Sequence, residues 1–226
     1  MRIASANMIY TLPDEQATRS LDQVLAYRPD VIGLQEWFTR RAHLLPDDEY
    51  EWYAPRRAGC PIGFRRDRFE LLDSYRVWLS WYGKPDPGAR DIKRLRPRIA
   101  TVVVLRERVW GRRYAIFNYH LDPAVQAHGV YRDDRPKLVR RHRNESRRLR
   151  LAIARALDKG YLVHAMGDSN FHGFAIPSLV SAWVGREDAP GTWGKRRIDD
   201  VFGPGPADEV SYVETDSDHL AIVVDR

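Results

Sequence analysis

The sequence contains a single cysteine, Cys60, so no disulfide can form within the chain. It has no apolar run long enough to cross a bilayer, and its first ten residues lack the apolar core of a secretory signal. Internal repeats and low-complexity segments are also absent. These absences argue against a disulfide-stabilised secreted domain and a helical membrane protein. We therefore expect a protein of the reducing cytoplasm.

Positive charge, carried mostly by arginine, is abundant. Lys and Arg total 37 against 31 Asp and Glu, which gives a formal net charge of +6. Arginine binds phosphate through two parallel hydrogen bonds and stacks on flat rings. The charge is consistent with a polyanionic partner such as nucleic acid, although arginine-rich composition alone is weak evidence for one.

The length of 226 residues allows one sizeable core, and no linker-like stretch divides the chain. We expect a single domain over residues 1–226. Hydrophobic patterning predicts an alternation of strands and helices. The predicted strands are 2–7, 30–36, 99–105, 114–119, 162–166, 197–202 and 217–225, with a further pair within 52–70; the predicted helices are 21–27, 137–157 and 176–184.

Acid, amide and imidazole side chains stand near the ends of the apolar strands, where ligands bind in open α/β sheets. The clearest case is the stretch 162–171, LVHAMGDSNF, in which a short apolar run and a glycine precede an acid and an amide. Each position alone is explained better as a turn or a solvated strand end. Repetition at several strands favours one shared site. The set is Asn7, Glu36, His120, Asp168 and Asn170, with Asp199 inside a strand and Asp218 and His219 at the start of the last one.

The order of these pieces resembles the endonuclease/exonuclease/phosphatase superfamily, whose best-known branch is the deoxyribonuclease I-like enzymes. The matching motifs are Asn7, LQE at 34–36, NYHL at 118–121, GDSN at 167–170, Thr192–Trp193, RIDD at 197–200 and SDH at 217–219. The resemblance implies an α/β fold, a four-layer α/β/β/α sandwich of two mixed sheets. It also implies metal-dependent hydrolysis of phosphodiester bonds at one edge of the sandwich.

The resemblance also assigns a metal site and a pair of groups that activate water. Asn7, Glu36 and Asp218 would hold Mg²⁺, with Mn²⁺ as the alternative. Mg²⁺ prefers hard oxygen ligands and keeps several waters, so one or two carboxylates suffice. Asp199 and His219 would activate the attacking water, because a carboxylate behind a histidine fixes its tautomer and makes it a better base.

Further residues would contact the phosphate or the leaving group. Asp168 and Asn170 would hold the phosphate and the attacking water. His120 would stabilise the developing charge or protonate the leaving group. Arg98 and Thr192 are similar to residues that support the phosphate in this pattern.

Some assignments have competitors. Asp200 adjoins Asp199, but neighbouring strand residues face opposite ways, and the family pattern selects Asp199. Arg96 competes with Arg98. The segment 61–69 lacks the tyrosine or acid that the family often places near the site. The histidine in NYHL argues against the abasic-site endonuclease branch. Four further histidines match no motif: His128, His142, His164 and His172.

Three functions follow. We favour a magnesium-dependent nuclease acting on DNA, supported by the net charge, the arginine-rich 84–98 loop and the basic face of 137–150; a helix that covers a sheet exposes a polar face in any case. The second is a phosphodiesterase or phosphatase of a lipid head group, inositol phosphate or small nucleotide. WLSWY at 78–82 could then contact a membrane, although a core strand explains it better. The third is a binding module without turnover, against which the intact set of site residues argues.

Overall fold

The computed structural model describes residues 1–87, 89, 94–127 and 129–226. In chain order its elements are β1 (Arg2–Asn7), α1 (Asp14–Leu25), β2 (Val31–Gln35), the 3-10 helix η1 (Thr39–Leu44), β3 (Tyr50–Tyr53), β4 (Ile62–Arg65), β5 (Phe69–Ser80), β6 (Arg98–Glu107), β7 (Arg113–His120), β8 (Gln126–Ala127), β9 (Val130–Tyr131), α2 (Pro136–Asp158), β10 (Leu162–Asp168), β11 (Val180–Ser181), β12 (Asp199–Gly203), β13 (Glu209–Val213) and β14 (Ala221–Asp225).

The strands form two mixed sheets of six strands each. The first has the order β13-β14-β1-β2-β4-β3 and the second β11-β12-β10-β7-β6-β5, while β8 and β9 form a separate ribbon. Each sheet contains one parallel pair, β1 with β2 and β7 with β10, and antiparallel pairs otherwise. The predicted fold of two mixed sheets is confirmed.

Apolar side chains hold the layers together. The inner faces of the two sheets share one core, which includes Ile3 and Phe64 from the first sheet and Ile116 from the second. On the outer face of the first sheet, α1 buries Ala17, Leu21 and Val24 at helical spacing. On the outer face of the second, α2 does the same with residues 149, 153 and 156. The order is therefore helix, sheet, sheet, helix.

The predicted helix over 176–184 is wrong. The segment holds turns and the short edge strand β11 instead. Its apolar residues Ile176 and Leu179 pack against the core below α2, so their burial needs no helix. Ser178 between them has a φ of +68°, in the left-handed region that ends helical geometry.

The length of β5, the edge strand of the second sheet, was not predicted from the sequence. β5 runs for 12 residues, but its alternation is weak because much of this edge strand is only half-buried. It ends at Ser80, so the WLSWY segment is a core strand only in its first half. Trp81 is 60% exposed and stacks on Trp78, with ring centroids 4.2 Å apart.

Part of the predicted 83–98 loop, residues 88 and 90–93, lies outside the described residues, as does residue 128. At the ends of this loop, Gly83 and Leu95 pair through backbone hydrogen bonds. None of the helices in the described ranges combines the length and apolar character needed to cross a membrane.

We expect His164 on β10 to make the fold acid-sensitive. Burial, with the charges of Arg226 and the N-terminal ammonium, lowers the pKa of His164 to about 3 from an ordinary 6.5. Between these values the unfolded chain binds a proton that the folded chain excludes. The free energy of unfolding therefore falls with decreasing pH by about 1.4 kcal/mol per pH unit from this residue.

The His164→Leu variant should lack this contribution. In urea unfolding, its loss of stability between pH 6 and pH 4 should be smaller than that of wild type by roughly 2 to 3 kcal/mol. The other buried histidines are present in both proteins and cancel. Equal losses in the two proteins would contradict the prediction.

Candidate active site

The site lies where the two parallel strand pairs end. In the second sheet, the register places Asp168 of β10 opposite His120 of β7 and also opposite Asp199 of β12. In the first sheet, β1 and β2 end together at Asn7 and Gln35. The amide Nδ2 of Asn7 donates a hydrogen bond of 3.0 Å to Oδ2 of Asp168. The carboxyl ends of both pairs therefore meet at one edge of the sandwich.

A compact group of acids and imidazoles lies at this edge. Asp168, Asp199 and His219 each offer one ligand atom within 4.8 Å of the others, and all three are buried. His219 Nδ1 and Asp199 Oδ2 are 2.8 Å apart, within hydrogen-bonding distance. Nε2 of His120 lies 3.5 Å from Oδ2 of Asp168. We refer to Asp168, Asp199, His219 and His120 as the buried cluster.

The GDSN sequence shapes the end of β10. A Cβ on Gly167, whose φ is +147°, would lie 2.0 Å from the carbonyl oxygen of Tyr119 on the neighbouring β7, so only glycine fits. Three residues later Asn170 adopts a φ of +53°, and its N–H donates a hydrogen bond of 2.6 Å to Oδ1 of Asp168. Its amide Nδ2 also donates to the carbonyl oxygen of Leu121 at 3.0 Å. The turn thus bends back onto the carboxylate.

The other two predicted metal ligands lie outside the buried cluster. Glu36 follows β2 with a φ of +58°, and its Oε2 accepts a hydrogen bond of 2.9 Å from the N–H of Tyr10. Asp218 precedes His219 and is exposed; its Oδ2 accepts a hydrogen bond of 3.2 Å from Nε1 of Trp193. Both carboxylates thus stand next to members of the site along the chain, Glu36 one residue past the strand that pairs with Asn7.

The donor set fits a divalent cation. Oδ1 of Asn7 and Oδ1 of Asp199 are buried and have no hydrogen-bond partner in the described part of the chain. A buried oxygen without a partner is costly unless water or a cation meets it. Amide and carboxylate oxygens, including those of Glu36 and Asp218, are the ligands that Mg²⁺ prefers.

The predicted phosphate contacts Arg98 and Thr192 are engaged with neighbouring groups. Nε of Arg98 donates to Oδ1 of Asp122 at 2.8 Å. The Thr192 hydroxyl oxygen accepts hydrogen bonds from the N–H groups of Ile198 and Asp199 at 3.2 and 3.1 Å. Thr192 therefore fixes the backbone of Asp199, and its contact with phosphate stays a prediction.

Burial and neighbouring charges give the ionisable groups of the site different pKa values. Burial, helped by the charges of Arg98 and His219, lowers the pKa of His120 well below its ordinary value. Burial and the Asp199 carboxylate raise the pKa of Asp168 to about 7. Burial opposes the charged form of His219, but the carboxylates of Asp199 and Asp168 outweigh it and raise that pKa to about 9. The site therefore combines a neutral imidazole, an imidazolium and a carboxyl group near its midpoint at neutral pH.

Sequence reasoning missed a buried ion-pair network behind His120. Asp122 accepts hydrogen bonds from Arg98 and Arg141, and its own N–H donates to Oε2 of Glu145 at 2.9 Å. Glu145 lies in the basic stretch 137–150 of α2 but is fully buried, 3.2 Å from Nε of Arg141. The available signal was its position as the lone acid among the arginines of 137–150.

Comparison with known proteins finds similar solved structures. No protein-family model and no curated protein matches the chain. D. rerio TDP2 in complex with a single-strand DNA product is 18% identical, with a TM-score of 0.71 over 99% of this chain and 97% of that one. The Bacteroides thetaiotaomicron mannosyl-6-phosphatase Bt3783 is 18% identical, with a TM-score of 0.72 over 100% and 98%. An endonuclease/exonuclease/phosphatase family protein from the same bacterium is 18% identical, with a TM-score of 0.73 over 99% and 96%.

The Asp199–His219 pair can be tested without any substrate. In Asp199→Asn the amide carries no charge while burial persists, so the pKa of His219 should fall clearly below about 9. The measurement is an NMR titration of the histidine ring protons in the presence of EDTA.

Asp200→Asn is the matched control. Asp200 stands next to Asp199 on β12, but its carboxylate accepts hydrogen bonds from Ser181 and Ala182 instead. The pKa of His219 should stay near 9 in this variant. Equal shifts in the two variants would show that the geometry of the pair is not what sustains the raised pKa.

Proposed function

We propose that this chain, which has the fold of the endonuclease/exonuclease/phosphatase superfamily, is a metal-dependent hydrolase of phosphate esters. The observation that carries the proposal is the convergence of Asp168, Asp199 and His219 within 4.8 Å at the edge where both parallel strand pairs end. A buried group of carboxylates and imidazoles that differ in proton affinity suits proton transfer and the stabilisation of a developing charge.

Asn7, Glu36 and Asp218 would hold the metal, Mg²⁺ or alternatively Mn²⁺. The unpartnered Oδ1 of Asn7 supports this assignment. When bound, the ion would withdraw charge from the phosphoryl oxygen and stabilise the leaving oxygen. The protein's own groups must then position the ester and move the protons.

The attacking water can give its proton to either of two groups. The first is the neutral form of His219, which Asp199 orients through Nδ1. The second is Asp168, whose Oδ1 is held by the N–H of Asn170. His120, neutral and 3.5 Å from Asp168, would stabilise the charge on the phosphate through Nε2–H or pass a proton to the leaving oxygen. We favour His219 as the base, in line with the role that the motif SDH implies.

The pH dependence of kcat/KM distinguishes the two bases. With His219 as the base, kcat/KM should rise with pH until about 9, since the imidazole must lose its proton first. With Asp168 as the base and His219 protonated, the profile would be a bell with limits near 7 and 9. A bell would therefore contradict our assignment. Asp199→Asn should move the His219 limb to lower pH while reducing the maximal rate.

We further propose that the substrate is nucleic acid, most simply DNA. The net charge of +6 and the likeness to a TDP2 that binds a single-strand DNA product support this. Binding through phosphate contacts weakens steeply with salt, because each contact releases counterions.

The lone buried cysteine agrees with the predicted cytoplasmic location.

A smaller phosphate ester is the second candidate, since a mannosyl-6-phosphatase has the same fold at equal similarity. The stacked and partly exposed Trp78–Trp81 pair offers a contact for a lipid substrate. Liposome binding that is lost on changing Trp78 or Trp81 would support this candidate. The third candidate, a binding module without turnover, predicts no hydrolysis of any ester.

Substitution of the proposed site residues should strongly reduce hydrolysis. Glu36→Gln and His219→Ala should each lower kcat by about 100-fold or more on single-stranded DNA, because one loses a proposed metal ligand and the other a proposed base. EDTA should abolish wild-type activity, and Mg²⁺ or Mn²⁺ should restore it. Glu187→Gln, which removes an exposed carboxylate elsewhere, is the control and should keep wild-type activity.

The same assay decides the substrate when DNA, RNA, a sugar phosphate and bis(p-nitrophenyl) phosphate are compared. Preference for DNA would support the nuclease, and preference for the sugar phosphate the second candidate. If Glu36→Gln retained full metal-dependent activity, the proposed metal site would be wrong.

A further inference from the structure

A cavity of about 320 Å³ opens beside the GDSN turn, between α2 and the chain that follows the turn. Such a volume is at the small end for ligand sites and suits one ring system with its phosphate. Its walls are aromatic and basic and include one buried serine. The residues that matter here are Tyr131, Arg143, Ser146, Arg150, Phe171 and Phe174.

The rings and guanidinium groups of this cavity are ordered against one another. The rings of Tyr131 and Phe171 have centroids 4.5 Å apart. The guanidinium of Arg143 lies 4.6 Å from the centroid of Tyr131, and that of Arg150 lies 5.2 Å from the centroid of Phe174. Nε and Nη2 of Arg150 also donate to the carbonyl oxygen of residue 175, at 3.0 and 2.7 Å.

Both guanidinium groups retain capacity for an anion. Arg143 is exposed on α2, and no carboxylate in the described part of the chain forms an ion pair with Arg143 or Arg150. Nη1 of Arg150 remains available while Nε and Nη2 are fixed by the carbonyl. Two cations beside aromatic rings can bind a phosphate and stack a flat base together.

The cavity is linked to the buried cluster through the GDSN turn and through hydrogen bonds of His142. Phe171 directly follows Asn170, whose N–H holds Asp168. His142 joins the cavity wall to the turn, since its Nδ1 lies 3.0 Å from the Tyr131 hydroxyl and its Nε2 lies 2.8 Å from the carbonyl oxygen of Ser169. Three residues of chain and these hydrogen bonds therefore connect the cavity wall to Asp168.

We propose that this cavity is a nucleotide subsite: it binds an unpaired nucleotide adjacent to the phosphodiester that is cleaved. The base stacks on the rings of Tyr131, Phe171 and Phe174, and the phosphate binds Arg143 and Arg150. The inference rests on the proposed function and narrows its substrate to single-stranded or locally unpaired nucleic acid. Because every base has a stacking face, the subsite would tolerate different sequences.

The test measures binding without turnover. Fluorescein-labelled short oligothymidylate is titrated with the full chain in EDTA, and affinity is followed by anisotropy at several salt concentrations. Phe174→Leu should weaken binding roughly 5- to 100-fold through lost stacking. Arg143→Gln should weaken it and reduce the slope of log affinity against log salt by about 0.7, the value for one phosphate contact on a single strand.

Arg147→Gln is the matched control. Arg147 is exposed on the same helix, one turn beyond Arg143, and does not line the cavity. It should change affinity much less than Arg143→Gln, although both remove one charge. Thermal unfolding of each variant checks that Phe174→Leu is folded, and Arg143→Gln tests the subsite independently because its side chain lies at the surface.

A second ligand measures how much the nucleobase contributes to binding. The same strand made of abasic sugar phosphates should bind wild type roughly 5- to 100-fold more weakly than oligothymidylate, and Phe174→Leu should reduce this difference. Equal effects of Arg143→Gln and Arg147→Gln, or a base preference unchanged in Phe174→Leu, would overturn the subsite. Wild-type hydrolysis of bis(p-nitrophenyl) phosphate is measured separately. Its absence would count against the proposed function, whereas the binding data in EDTA decide the subsite.

Discussion

Two carboxylates, Asp168 and Asp199, lie buried against each other at one edge of the sandwich, and the surrounding structure compensates for their charge. Buried carboxylates are costly unless they are hydrogen-bonded or paired. Asn7 of the other sheet and the turn at Asn170 donate to the first, and His219 pairs with the second. Because these donors come from different sheets and from a loop, the edge of the sandwich must be closed before the site exists. The cost of this arrangement is consistent with selection for chemistry rather than for stability.

Much of the fold could be predicted because its central strands are buried on both faces. β2, β7 and β10 therefore contain apolar runs, and the polar residues at their ends stand out. Hydrophobic patterning did not predict the structure of segments that are only partly buried. β5 lies half-exposed at an edge, and the apolar residues at 176–184 pack without a helix, so neither segment carries a periodicity that identifies its structure.

The sequence predicts which residues form the site better than it predicts which of them contact one another. Spacing along strands predicts that Asp168 and His120 share an edge, but which residue of one sheet touches which of the other depends on how the sheets pack. That packing brings Asn7 to Asp168 and leaves Glu36 and Asp218 outside the buried cluster. The network of Asp122, Arg98 and Glu145 was missed for a related reason: a lone acid in a basic helix is usually taken as solvated until the burial of its helix face is known.

The contact at Gly167 has a consequence for how this protein can evolve. The missing side chain lets β10 approach β7 closely, and the residue immediately after it carries the carboxylate at the centre of the site. A side chain at Gly167 would displace both the strand and the carboxylate of Asp168, because the two residues are adjacent. Compensation elsewhere could restore folding without returning the carboxylate to its place, so Gly167 should rank among the least permissive positions in a comprehensive mutational scan.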